Sequence, residues 1–167
     1  SGAASTSCTV CAAGRNDQDN SAATQCVDCA YGRHSAAGSS GASGCVACAV
    51  GQYDHDANTS TLSASTACVL CGAGRVQPSL GSASCIACGA GQYQNVMGMT
   101  ACIACASGTY LPSTGNDAAS DCIDCVAGTY LPATGSDAAS DCIACAVGRY
   151  SNQTGQTSAG DCHQCAY

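Results

Sequence analysis

No Phe, Trp, Lys or Glu occurs in the 167 residues. The loss of Phe and Trp, with few Leu and Ile, removes the large side chains that normally fill a core, so burial alone cannot hold a single globular domain together. With neither Lys nor Glu, four Arg stand against eleven Asp and the net charge is −7. Nucleic acid and anionic membrane surfaces are therefore poor partners. No window of about 18 apolar residues is present, so no helix of this segment spans a membrane. Apolar residues never recur at helical spacing, and the nearest approach, "DAASDC", is long enough only for a short helical turn. Ser1 is neither an initiator Met nor the start of a signal peptide, which predicts a mature or excised piece.

What the chain does have is cysteine: 18 of them, about 11% of the residues. At that density a chain is read as a covalently stapled scaffold. The cysteines form nine CxxC pairs, beginning at Cys8, Cys26, Cys45, Cys68, Cys85, Cys102, Cys122, Cys142 and Cys162. The steps between pairs are 18, 19, 23, 17, 17, 20, 20 and 20 residues. Every pair followed by enough chain continues as CxxCxxG, with Gly14, Gly32, Gly51, Gly74, Gly91, Gly108, Gly128 and Gly148. Such self-similarity is the signature of a repeat architecture. Two residues after the glycine comes an aromatic in five of the eight copies: Tyr53, Tyr93, Tyr110, Tyr130 and Tyr150. The first x inside CxxC is Val or Ile in seven of the nine pairs. The stretches from Cys105 and Cys125 agree at 16 of 21 positions, the mark of recent duplication.

One unit then reads as follows. A short extended G-x-Y stretch pairs with the returning C-[VI]-x-C stretch, because aromatic and β-branched residues suit a half-buried pleated surface. Between them lies a loop of Ser, Thr, Gly, Asp, Asn and Pro, which is turn chemistry. The expected fold is a small disulfide-rich repeat protein, an elongated array of short two-stranded β-hairpins and irregular loops with little or no α-helix. Residues 1–7 form an N-terminal extension and 8–167 the tandem repeats, with units starting near 8, 26, 45, 68, 85, 102, 122, 142 and 162, the last truncated. Tyr is expected to be the packing residue of each unit, covering the disulfide below it.

Three chemistries use CxxC: disulfide frameworks, tetrathiolate zinc sites and redox-active dithiols. The spacing between pairs overlaps the zinc-ribbon range, but nine pairs would make four sites and an orphan. A redox dithiol needs a cation or helix beside it to lower the thiol pKa, and nine copies offer neither. Disulfides fit best and imply an oxidising, extracellular setting. The counts favour linking the second Cys of each pair to the first of the next: Cys11–Cys26, Cys29–Cys45, Cys48–Cys68, Cys71–Cys85, Cys88–Cys102, Cys105–Cys122, Cys125–Cys142 and Cys145–Cys162. The crossed alternative, Cys8–Cys26 with Cys11–Cys29, uses pairs two at a time and strands one of the nine. The sequential pattern leaves Cys8 and Cys165 for bonds between subunits, and the segment stops at "CAY" in mid-repeat.

The CxxCxxGxY core with its variable Ser/Thr/Gly loop resembles the ephrin-receptor-like cysteine-rich repeat and is related to the CxxC repeats of ciliate surface antigens. The resemblance runs from Cys8 to Cys165; Ala, Val or Gly stands after the second Cys where such repeats often carry Pro. It implies an extracellular array used for structure or contact, each loop closed like the last loop of an EGF-like module, with no enzymatic activity and no cofactor.

Lesser signals remain. Asn58 and Asn152 each begin an N-x-[ST] sequon in a loop and are the candidate N-glycan sites of a secreted glycoprotein. "DHDANTS", from Asp54, opens like a calcium loop but has Thr59 and Ser65 where such a loop needs its Gly and its final acid, so it reads as solvated loop, as does "NDQDN". His34, His55 and His163 are scattered, and no catalytic triad or metal set emerges. Leu111–Gly115 and Leu131–Gly135 have the LPxTG form cut by sortases, yet each is followed by Asp and another CxxC rather than an apolar segment and basic tail. They read as exposed loop tips. Functionally, the chain is expected to be an extracellular structural protein that self-associates head to tail into a filament or surface coat. The alternative is a stalk or ligand-binding ectodomain of a receptor or adhesin, with the long 48–68 spacer as its contact loop.

Overall fold

The computed structural model describes residues 10–21, 24–41, 43–55 and 67–166. They fall into two compact units, Ser1–Cys71 with Gln77–Cys85, and Gly72–Val76 with Ile86–Tyr167. The same small element builds both units.

That element is a two-stranded antiparallel hairpin with strands of two residues each, and eight occur among the described residues. In the first unit Arg15–Asn16 pairs with Val27–Asp28, Arg33–His34 with Val46–Ala47, and Gln52–Tyr53 with Val69–Leu70. In the second, Arg75–Val76 pairs with Ile86–Ala87, Gln92–Tyr93 with Ile103–Ala104, and Thr109–Tyr110 with Ile123–Asp124. Thr129–Tyr130 with Ile143–Ala144 and Arg149–Tyr150 with His163–Gln164 complete it. In four hairpins register sets Tyr directly opposite the β-branched residue of the next CxxC, at Tyr53–Val69, Tyr93–Ile103, Tyr110–Ile123 and Tyr130–Ile143, so the two largest apolar side chains there share one cross-strand contact.

The glycine of CxxCxxG explains why every hairpin begins in the same place. The N–H of the residue after it donates to the carbonyl three positions back, for example Arg15 to Ala12 and Thr109 to Ala106, at 3.1 and 3.2 Å. All eight of these glycines have φ between 74° and 85°. Positive φ at the third turn residue alone defines a type II turn, which only Gly fills without strain. The glycine carbonyl then accepts from the second Cys of the next pair, from Cys29 N–H to Gly14 through Cys165 N–H to Gly148, at 2.8–3.0 Å.

Eight disulfides staple the hairpins, each running from the second Cys of one pair to the first of the next: Cys11–Cys26, Cys29–Cys45, Cys48–Cys68, Cys71–Cys85, Cys88–Cys102, Cys105–Cys122, Cys125–Cys142 and Cys145–Cys162. Their Cα atoms stand 5.5–5.9 Å apart, in the usual range. Each loop is worth about 3 kcal/mol on the chain-entropy account. The second cysteines do the packing: Cys48, Cys71, Cys88, Cys105 and Cys125 are wholly buried.

Tyr does less of it than its chemistry suggests. Tyr53, Tyr93, Tyr110 and Tyr130 are half-buried and Tyr150 is exposed, whereas the residue after each is buried: Asp54, Gln94, Leu111, Leu131 and Ser151. Successive side chains of a strand point to opposite faces, so Tyr and its successor cannot both face inward. No α-helix occurs among the described residues. The "DAASDC" copies give 3₁₀ turns at Ala119–Asp121 and Ala139–Asp141, and a third lies at Ala159–Asp161. In each, the closing Asp turns back to accept the N–H just before the turn, from Ala118, Ala138 and Ser158 at 2.9–3.2 Å.

Candidate functional site

The surface that recurs most often is the contact of one repeat with the next, and it is made of backbone. The turn-glycine N–H donates to the carbonyl three residues past the next turn glycine: Gly14 to Ser35, Gly51 to Gln77, Gly74 to Gln94, Gly91 to Leu111 and Gly108 to Leu131, at 2.7–3.0 Å. Gly32 differs in donating instead to the Asp54 carboxylate, at 3.1 Å. One strand residue on, Asp54, Gln94, Leu111 and Leu131 donate to the loop tip of the following repeat, at Ser82, Asn116, Ser136 and Gln156. The tip glycine donates back to the second Cys of the preceding repeat: Gly38 to Cys11, Gly81 to Cys48, Gly115 to Cys88, Gly135 to Cys105 and Gly155 to Cys125, at 2.8–2.9 Å.

A second contact skips a repeat. A Cβ on Gly32, Gly74, Gly91 or Gly108 would overlap the carbonyl of Gly81, Gly115, Gly135 or Gly155 respectively, each a loop-tip glycine two repeats further on. Those tips also rest on the second x of CxxC, with a Cβ on Gly81, Gly115 or Gly135 lying 3.5–3.9 Å from the Ala47, Ala87 or Ala104 methyl. At the fourth such contact the x residue is Asp124, whose carboxylate accepts from the Thr154 hydroxyl at 3.1 Å. Among the described residues nothing approaches the same side of Gly128 or Gly148 within 4 Å.

The buried residue after Tyr is served in two ways. In Gln77 and Gln94 the side-chain Nε2 donates to the Ser84 and Ala101 carbonyls at 2.6 and 2.7 Å, and Oε1 accepts from Ser79 and Val96 N–H at 3.0 Å. Leu111 and Leu131, each 2% exposed, fill the place with hydrocarbon. These are the first residues of the two LPxTG stretches, whose Pro112, Thr114, Pro132 and Thr134 are exposed while the Leu is locked inside. Sequence reasoning missed both this column and the small second x. The repeated Ala at positions 47, 87, 104 and 144 was the available signal.

Of the other candidate residues, Cys165 is exposed and carries a free thiol. Cys8 and Asn58 lie outside the described residues, as does most of "DHDANTS". Asn152 is exposed on a loop tip. His163 stands opposite Tyr150, their rings 6.1 Å apart, in the place that Ile fills in neighbouring hairpins. The described residues bring no three of His, Cys, Asp or Glu together as a metal set, and no helix is long and apolar enough to cross a membrane.

Charges are few and mostly at the surface. Arg15 pairs with Asp28 at 2.7 Å, while Arg33 and Arg149 donate to the Cys45 and Cys162 carbonyls at 2.9 Å. Hydrogen bonds from the Thr24 hydroxyl and Ser21 N–H hold the Asp19 carboxyl below its ordinary value. For Asp161 the same is done chiefly by Ser158 N–H. In the first unit Asn16, Gln18, Asp28, Ala30 and Arg33 line a groove of about 480 Å³ beside the Cys29–Cys45 bond.

No curated protein matches the chain. The model of the family described as tyrosine-protein kinase ephrin type A/B receptor-like matches residues 59–99, 79–122 and 113–162, overlapping as tandem repeats do. These matches span more than half of the sequence and coincide with the hairpin, turn-glycine and disulfide register above, and the chain belongs to that family of cysteine-rich repeats.

Proposed function

We propose that the chain is an extracellular structural repeat protein, the protomer of a filament or surface coat assembled head to tail. The observation that carries this reading is the backbone register that recurs between repeats at Gly14, Gly51, Gly74, Gly91 and Gly108. A contact built mostly from N–H and C=O groups depends little on loop sequence beyond the tip glycine, which suits units joined in series. Eight disulfides and the repeat family support an oxidising, extracellular setting. Cys8 and Cys165 are the cysteines assigned to bonds between subunits, their two thiols passing two electrons and two protons to a small-molecule disulfide as the Cys8–Cys165 bond forms. Asn58 and Asn152 carry N-glycans, and residues 8–167 act as one tandem array behind the 1–7 extension.

Negative-stain microscopy of native material under non-reducing conditions tests the reading: filaments or sheets are expected, and monodisperse particles at every concentration contradict it. Non-reducing peptide mapping of the same sample is expected to yield a Cys8–Cys165 peptide and glycosidase-sensitive mass at Asn58 and Asn152. The groove to which Asn16, Gln18, Asp28 and Arg33 contribute polar groups beside Ala30 favours the second reading, a ligand-binding ectodomain segment of a receptor or adhesin.

A further inference from the structure

One disulfide of the array differs from the other seven in how its cysteines are covered. Cys11, Cys48, Cys71, Cys88, Cys105, Cys125 and Cys162 are each at most 4% exposed, so every bond that includes one of them keeps a buried cysteine. Cys29 and Cys45, bonded to each other, are both only half-buried. Exchange with an external thiol is hindered on either route when one member is buried. Attack on the buried sulfur is blocked, and attack on its partner leaves a thiolate in dry, apolar surroundings. The Cys29–Cys45 bond carries neither hindrance.

An approach to it is also built. Cys29 and Cys45 line the groove of about 480 Å³, together with Gln18, Asp28 and Arg33. Asp28 is engaged by Arg15 at 2.7 Å. Arg33 is exposed and gives one N–H to a neutral acceptor, the Cys45 carbonyl, at 2.9 Å. Among the described residues no carboxylate pairs with it, so its guanidinium is the unbalanced charge of the groove and stands beside Cys45. We propose that Cys29–Cys45 is a thiol-exchange site whose substrate is a small thiol carrying a carboxylate. The carboxylate pairs with Arg33, the thiolate sulfur of the substrate bonds to Cys29 Sγ, the Cys29–Cys45 bond breaks, and Cys45 leaves as a thiolate beside the Arg33 cation. One disulfide is lost as one forms, so no further oxidant or reductant enters the step. The product is a mixed disulfide on Cys29, with its own loop open and the neighbouring Cys11–Cys26 and Cys48–Cys68 loops still closed. The site is independent of the filament reading.

The test exposes the full oxidised chain, its free thiols alkylated beforehand, to reduced glutathione or to cysteamine, which carries an ammonium in place of carboxylates. Timed N-ethylmaleimide quenching and non-reducing peptide mapping follow each bond. Expected are glutathione on Cys29 and maleimide on Cys45, formed at least about tenfold faster than any product of the other seven bonds. At low salt glutathione is expected to be preferred over cysteamine by at least about threefold, a preference that Arg33→Gln removes and Arg33→Lys retains. Another intrachain bond opening as fast as Cys29–Cys45 overturns the exchange site. A glutathione-to-cysteamine ratio that is the same in the parent and in Arg33→Gln overturns the carboxylate-bearing substrate.

Discussion

Two neighbouring repeats of the second unit, 88–102 and 105–122, share hairpin, turn glycine and disulfide, yet one buries an amide and the other a hydrocarbon at the same point. Gln94 there bridges two backbone groups of its own loop, and Leu111 makes no polar bond from its side chain. The backbone path is the same, with Gly91 N–H donating to Leu111 C=O as Gly74 N–H donates to Gln94 C=O. The lesson is that recurring backbone bonds and disulfides set the architecture, while the inner side chain only has to fill a fixed space without leaving a polar group unpaired.

Substitutions separate the two solutions. Leu111→Ala leaves a void in a small, rigid, cross-linked site and is expected to lower stability by about 3 kcal/mol in non-reducing urea unfolding. Gln94→Ala is expected to cost about 2 kcal/mol, from the Ala101 carbonyl and Val96 N–H left without partners rather than from lost volume. A loss equal to that of Leu111→Ala would mean that packing decides both positions. The skip contact can be sharpened in the same way. Gly91→Ala and Gly128→Ala both strain a positive φ, but only the first meets a backbone carbonyl, so it is expected to cost at least about 1 kcal/mol more. The smallest effect concerns the last 3₁₀ turn. The Asp161 carboxyl lies below its ordinary value of 3.8 in the folded chain, so its contribution is present above that pH and is lost as pH falls through the lower folded value. The Ser158 amide shift, followed by NMR, is expected to be flat from pH 8 to about 5 and to move below about pH 4.

Much of the fold was legible because the repeat itself repeats. The glycines of CxxCxxG and the β-branched residues of C-[VI]-x-C mark turn and strand directly, since Gly takes positive φ at no steric cost and β-branched residues suit a pleated strand. "DAASDC" reads as no more than a helical turn, and Ala119–Asp121 is one. The inner column escaped notice because its residues range from Ser35 and Asp54 through Gln77 and Gln94 to Leu111, with only the position in common to all of them. Tyr looked like the packing residue because size suggests burial, but pleating puts its successor inside. The contact between alternate repeats involves glycine Cα atoms and carbonyls, which leave no side-chain signature beyond the small residue at Ala87 and Ala104.

Hydrogen exchange at the turn glycines of the oxidised monomer tests the backbone register most directly. Gly74, Gly91 and Gly108 donate to the following repeat, while Gly128 and Gly148 have no backbone acceptor among the described residues. The structure predicts slow exchange at the first three and fast exchange at the last two, by at least about an order of magnitude. Equal rates at Gly91 and Gly148 would contradict it.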